Sequence, residues 1–146
     1  MNDFFTLDKQ LCFSIHETAG LFTKLYHSAL RPFGLTYPQY VTLLALWEKD
    51  GVTLKELGSG LNLGTGTLTP MVARLENNGW VRKEKSKLDE RKTYILLEQK
   101  AIDQKDHITE AIQKRFQTCH IEENEYKLLM EGLAGLKDKL GIADLG

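Results

Sequence analysis

A mainly helical fold carrying one short β-hairpin is what this sequence predicts, and three observations predict it. Apolar residues recur at helical spacing along most of the chain. Two short amphipathic segments flank the turn Asn62-Leu63-Gly64. Directly after them, two runs rich in aromatic and β-branched residues enclose a charged loop.

The elements follow in order. Leu7, Leu11, Ile15, Phe22, Leu25 and Ala29 give a long first helix that stops before Pro32. Thr36, two residues before Pro38, is a favourable entry to a second helix containing Val41, Leu44, Ala45 and Trp47. Leu54, Leu57 and Leu61 mark a short third helix. In the fourth, Leu68, Met71, Val72 and Leu75 stand at i, i+3, i+4 and i+7 and share one buried face. Pro70 lacks an N–H and suits only a helix's first turn, so local rules start this helix at Thr67 rather than Thr65. Asn78-Gly79, both tolerant of left-handed backbone, end it. Trp80–Lys85 and Thr93–Leu97 read as strands. Ala101, Ile108 and Ile112 mark a fifth helix, and Leu128, Leu129, Leu133, Leu136 and Leu140 a sixth.

Two helices joined by a tight turn and followed by a β-hairpin form a winged helix-turn-helix, whose second helix enters the major groove of DNA. Charge supports this. Residues 80–92 hold six bases (Arg82, Lys83, Lys85, Lys87, Arg91, Lys92) against three acids, net +3, in a chain of net charge −1. A near-neutral chain must bind nucleic acid through such a local patch. The DNA-contact candidates are Thr65, Thr67, Thr69 and Arg74 on the fourth helix, with Lys83 and Lys85 on the hairpin. Arg74 is the residue able to fork onto guanine or phosphate. Arg91 is the minor-groove candidate at the wing tip, and Asp89 its brace.

The 146 residues suit a single domain. Residues 36–97 form the DNA-binding unit, and 1–35 and 98–146 are helices that a small winged helix does not itself need, so their expected role is dimerisation. Two-fold symmetry would set two fourth helices about 34 Å apart on a pseudo-palindromic duplex. Composition is ordinary for a globular chain, with no membrane span and no signal-peptide pattern, and the expected location is the cytoplasm. No phosphate loop, nucleophile elbow or metalloprotease motif occurs, so neither enzyme nor cofactor is expected.

Leu61–Met71, the Asp89-Glu90-Arg91 wing and Leu35–Tyr40 together resemble the MarR family of winged-helix transcription regulators. Leu11-Cys12-Phe13 narrows the likeness to the thiol-based branch that senses organic hydroperoxides. It spans nearly the whole chain in the same motif order. The resemblance implies a homodimer built from the terminal helices, which represses transcription until an organic peroxide oxidises Cys12. Gly64 stands where the family carries Asp, a departure in the turn before the fourth helix.

On sequence alone Cys12 is balanced between a buried packing residue and a reactive thiol. Its place near a helix start, with Lys9 one turn before and His16 one turn after, favours the thiolate. The resemblance matches Cys12 to the peroxide-reactive cysteine, and Tyr26 and Tyr37 to tyrosines that hydrogen-bond it. His16 replaces a third tyrosine. Fourteen residues of helix span about 21 Å, so Tyr26 can meet Cys12 only from a second subunit. Cys119 makes the chain look like the two-cysteine type, with Cys119 resolving the oxidised Cys12; an unrelated exposed thiol is the alternative. Three other readings stay open: a regulator binding a small aromatic ligand with structural cysteines, a metal sensor using Cys12 and His16 with Cys119 or His120, and a thiol peroxidase.

Overall fold

The computed structural model describes residues 4–142. These fall into two compact units divided between Ile112 and Gln113. Among the described residues the first contains four α-helices, most of a fifth, two 3-10 turns and a three-stranded sheet; the second holds the end of one helix and another up to Ile142.

A 3-10 turn at Leu7–Lys9 precedes α1 (Leu11–Leu30). The first helix is thus shorter than the apolar spacing suggests. Gln10 adopts an extended backbone (φ −83°, ψ 120°) and splits Leu7 from the helix. Cys12 consequently becomes the second residue of α1. Helix α2 (Tyr37–Glu48) begins with a capping box: Thr36 Oγ1 accepts from the Gln39 N–H and Gln39 Oε1 accepts from the Thr36 N–H. Its buried face is Gln39, Tyr40, Thr42, Leu43 and Leu46, while Leu44 remains exposed. Thr42 carries a polar link into the core. Its hydroxyl lies 2.9 Å from the Pro38 carbonyl and 2.9 Å from Met71 Sδ.

Strand β1 (Val52–Thr53) was not foreseen, because two residues give no periodicity to read. It pairs with β3 (Thr93–Leu97), which also pairs with β2 (Val81–Lys85). All pairings are antiparallel and the order is β1-β3-β2. Between β1 and β2 lie α3 (Leu54–Leu61) and α4 (Thr65–Asn77). Thr53 caps α3 by accepting from the Glu56 N–H. Asn62, left-handed at φ 56°, ends it, with Leu63 N–H donating to the Gly58 carbonyl at 2.8 Å.

Helix α4 starts at Thr65, not at Thr67, and runs through Pro70. Leu68, Met71, Val72 and Leu75 are all buried, and their burial outweighs the local cost of one proline. Of the two residues expected to end it, only Gly79 is left-handed (φ 80°); Asn78 is not (φ −92°). Gly79 N–H donates to the Glu76 carbonyl and Trp80 N–H to the Leu75 carbonyl, a Schellman end that needs the positive φ. Trp80 is thereby delivered into the core at 2% exposure. Lys100 Nζ lies 4.3 Å above its ring and donates to the Asn78 carbonyl.

Helix α5 (Gln99–Gln117) buries Ala101, Ile108 and Ile112, the positions its periodicity marks. The Trp47 indole N–H donates to the Ala101 carbonyl at 3.1 Å. In the second unit, α6 (Glu123–Ile142) follows a turn at 118–122, and the Phe116 and Tyr126 rings meet edge-on at 6.4 Å. Among the described residues no helix is long and apolar enough to cross a membrane.

Candidate functional site

Helix α4 is held from behind and open in front. Its buried face packs inside the first unit, and Thr65, Thr67, Thr69 and Arg74 are all exposed. At about 100° per residue these four flank the outward face rather than occupy its middle. Thr67 and Arg74 lie towards one edge, Thr65 and Thr69 towards the other. The middle belongs to Gly66, Pro70 and Ala73, with Asn77 in the last turn. Gly64 occupies the N-cap position with no side-chain cap bond; its carbonyl accepts from the N–H groups of Thr67 and Leu68. An Asp here, as the resemblance implies, would supply a cap that Gly lacks.

The hairpin between β2 and β3 is closed by Ser86 N–H donating to the Lys92 carbonyl. Ser86 Oγ accepts from the N–H groups of Leu88 and Asp89. Asp89 Oδ1 accepts from Arg91 N–H and from Arg91 Nε, each at 3.1 Å, and Asp89 Oδ2 from Arg91 Nη2 at 3.4 Å. These bonds to Arg91, first its guanidinium and then its backbone N–H, hold the Asp89 carboxyl below its ordinary value, with Lys92 adding to the effect. Arg91 is therefore fixed at its base while its side chain stays 91% exposed.

The other cations of the hairpin divide in two. Arg82 is engaged by the chain itself: Nε donates to Glu84 Oε1, and Nη1 to the Leu97 carbonyl and Glu98 Oε1. Bonding to Glu84 and then Glu98 raises its pKa further. Lys83 Nζ stands 3.8 Å from Glu76 Oε1, so this candidate is shared with α4. Lys85, Lys87 and Lys92 are exposed towards the tip. The positive charge open to an outside anion thus sits at the far end of the wing, beside Arg91.

Both cysteines are free and exposed. Cys12 is thus not a residue of this chain's own core. The Cys12 thiol lies 3.9 Å from Gln10 Oε1, and His16 is exposed one turn along the same helix. Tyr26 and Tyr37 meet at 5.2 Å between ring centroids, and Tyr26 and Tyr40 at 5.7 Å. Tyr40 is buried, which raises its phenol pKa, with neighbouring Tyr37 adding to the shift. Tyr26 and Tyr37, expected as partners of Cys12, instead meet each other, and Tyr26 meets Tyr40, which no local sequence signal singles out. Cys12 and Tyr26 stand at opposite ends of the continuous α1, about 21 Å apart along its axis, so one chain does not bring them together. Cys119 lies in the turn after α5, its sulfur 3.7 Å from the Arg115 carbonyl and followed by left-handed His120 (φ 54°). Among the described residues no group of three His, Cys, Asp or Glu side chains could hold a metal ion.

Residues 24–108 match the family model of the transcriptional regulators SarA/Rot. The chain is 39% identical over 135 residues to the HTH-type transcriptional regulator TtmR of Methylorubrum extorquens, covering 92% of this chain and 69% of TtmR. It is 41% identical over 108 residues to the organic hydroperoxide resistance transcriptional regulator of Bacillus subtilis, covering 69% of this chain and 74% of that protein. Among solved structures, reduced AbfR bound to DNA, a protein of Staphylococcus epidermidis, superposes with a TM-score of 0.81 at 39% identity. The match covers 92% of this chain and 94% of AbfR. The same protein with a disulfide formed gives 0.68 at 38% identity, over 92% and 90% of the two chains. The open face of α4, the braced wing and these matches lead to one assignment: the chain belongs to the SarA/Rot family of MarR-type winged-helix transcriptional regulators.

Proposed function

We propose that this DNA-binding transcriptional regulator is a redox-responsive repressor that releases its operator when organic peroxide oxidises Cys12. The observation that carries the reading is the free, exposed thiol of Cys12 at the second residue of α1, in a chain 41% identical to an organic hydroperoxide resistance regulator. A thiolate attacks the peroxide O–O bond: Cys12–S⁻ and ROOH give Cys12–SOH and, after proton uptake, ROH. The sulfenic acid then condenses with the thiol of Cys119, forming the disulfide and releasing water. One peroxide is consumed per thiol, as a signal rather than as the substrate of an enzyme.

The working form is a homodimer on a pseudo-palindromic duplex, in the cytoplasm. Residues 36–97 read DNA, while 1–35 and 98–146 join the two copies. Support comes from the apolar side chains left exposed on both segments: Leu11, Ile15 and Phe22 on α1, and Leu128, Leu129, Leu133 and Leu140 on α6. Thr65, Thr67, Thr69 and Arg74 meet the major groove, with Lys83 and Lys85 on the adjoining backbone. Arg91, braced by Asp89, enters the minor groove. Tyr26 of the second copy, together with Tyr37 and His16, completes the Cys12 pocket. Pairing of Cys12 with Cys119 of the second copy shifts the interface helices and changes the spacing of the two α4 helices, which frees the operator.

The test is DNA binding before and after oxidant, with mass spectrometry of both thiols. Cys12→Ser should bind DNA and ignore the oxidant. Cys119→Ser should abolish a thiol-reversible covalent dimer and leave Cys12 open to overoxidation. Release that persists in Cys12→Ser overturns the thiol mechanism in favour of a small aromatic ligand. An oxidised protein that stays monomeric on non-reducing gels, with Cys12 capped by a small thiol, makes it a one-cysteine sensor.

A further inference from the structure

We propose that Pro70 is a specificity-determining residue of α4: its ring, set beside the bare backbone of Gly66, reads the C5-methyl group of thymine in the major groove. The inference rests on the reading of α4 as the DNA-reading helix and names the base that helix selects.

Two residues unfavourable to a helix lie one turn apart in α4, and nothing inside the chain requires either. Gly66 is the second residue of α4. It has no positive φ, and a Cβ built on it would meet nothing within 4 Å. Alanine would fit and would favour the helix. Pro70 is the sixth residue, past the first turn, where its missing N–H leaves the Gly66 carbonyl without its usual partner. Its ring is exposed, so it does not serve the core either. Within the chain both residues only weaken the helix they stand in.

Their position supplies the reason. At about 100° per residue, Gly66, Pro70 and Ala73 lie within about 30° of the direction opposite the buried Leu68, Met71, Val72 and Leu75, as does Asn77 in the last turn. A major groove about 12 Å wide barely admits a helix 10–12 Å across. A glycine at the centre of the leading face lets the backbone sit deeper. Gly66, Pro70 and Ala73 carry no side-chain donor or acceptor, so these three cannot read base edges by hydrogen bonds. Of the groups exposed in the major groove, the thymine methyl is the apolar one. Pro70 offers the largest and stiffest apolar surface of the three. Arg74, nearer the edge of the same face, then supplies the polar contact that sets register.

The experiment begins by selecting a duplex from a random pool with the reduced full-length protein. Each thymine of that duplex is then replaced by deoxyuridine, which removes only the C5-methyl group. Wild type should lose about fourfold per methyl contacted, hence about fifteenfold when both half-sites are altered. Pro70→Ala should bind the thymine duplex more weakly, lose most of its discrimination between thymine and uracil, and melt at a higher temperature than wild type. Gly66→Ala should likewise melt higher and bind less tightly. Equal affinity of wild type for both duplexes, or an unchanged uracil penalty in Pro70→Ala, overturns this inference alone. Failure to enrich any duplex overturns it together with the proposed function.

Discussion

Arg91→Ala isolates the wing. In the folded chain the guanidinium is 91% exposed and its partner is Asp89, so its removal leaves the core intact and an unopposed carboxylate at the tip. The melting temperature should be unchanged. DNA binding should change in a particular way. Each phosphate neutralised by a cation contributes about 0.9 to the slope of log affinity against log salt, so losing one cation per copy flattens the slope by about 1.8 in a dimer. Between about 50 and about 200 mM salt, the penalty of the substitution should therefore shrink roughly tenfold. Fluorescence anisotropy titrations at four or five salt concentrations give both slopes directly. Arg91→Lys should restore the slope, because the charge is kept, yet recover only part of the affinity, because the planar fork that Asp89 holds is lost. Parallel salt lines for wild type and Arg91→Ala would show that the wing tip does not touch DNA.

Two further perturbations test the scaffold. In Gly58→Ala the new Cβ would stand 2.7 Å from the Leu63 carbonyl oxygen and 3.5 Å from Leu68 Cδ2. The close neighbour is backbone, so the turn between α3 and α4 must shift, at about 1–3 kcal/mol despite alanine's helix propensity. Urea denaturation measures it, and an unchanged midpoint refutes the packing argument. The second concerns pH. Bonding to Arg91 depresses the Asp89 carboxyl below its ordinary 3.8, so the brace is fully made above that value and lost as pH falls through the lowered one. Exchange protection of the Arg91 amide, corrected for the intrinsic rate, should hold from about pH 8 to about pH 5 and fail only below about pH 4. Loss near neutrality would show that another group controls the wing.

Much of this molecule is written in its sequence, because its elements are set by local periodicity and by end signals. The i, i+3, i+4, i+7 spacing of Leu68, Met71, Val72 and Leu75 gave α4 its inner face, and Ala101, Ile108 and Ile112 did the same for α5. Thr36 with Gln39 opened α2, and the basic run 80–92 located the hairpin. Tertiary structure decided what depends on partners distant in sequence. Pro70 argued for a later start to α4, but burial of the opposite face carries the helix back to Thr65. Strand β1 exists only because β3 is there to pair with it. Arg82 and Lys83 counted as positive charge until Glu84, Glu98 and Glu76 were found beside them. The need for glycine at position 58 follows from the Leu63 carbonyl, five residues on and folded back against it. Likewise, the freedom of Gly66 and Pro70 from any internal duty became visible only once the space around them was known. Periodicity fixes which face of a helix is apolar; what the other face meets is set by atoms that local sequence does not name.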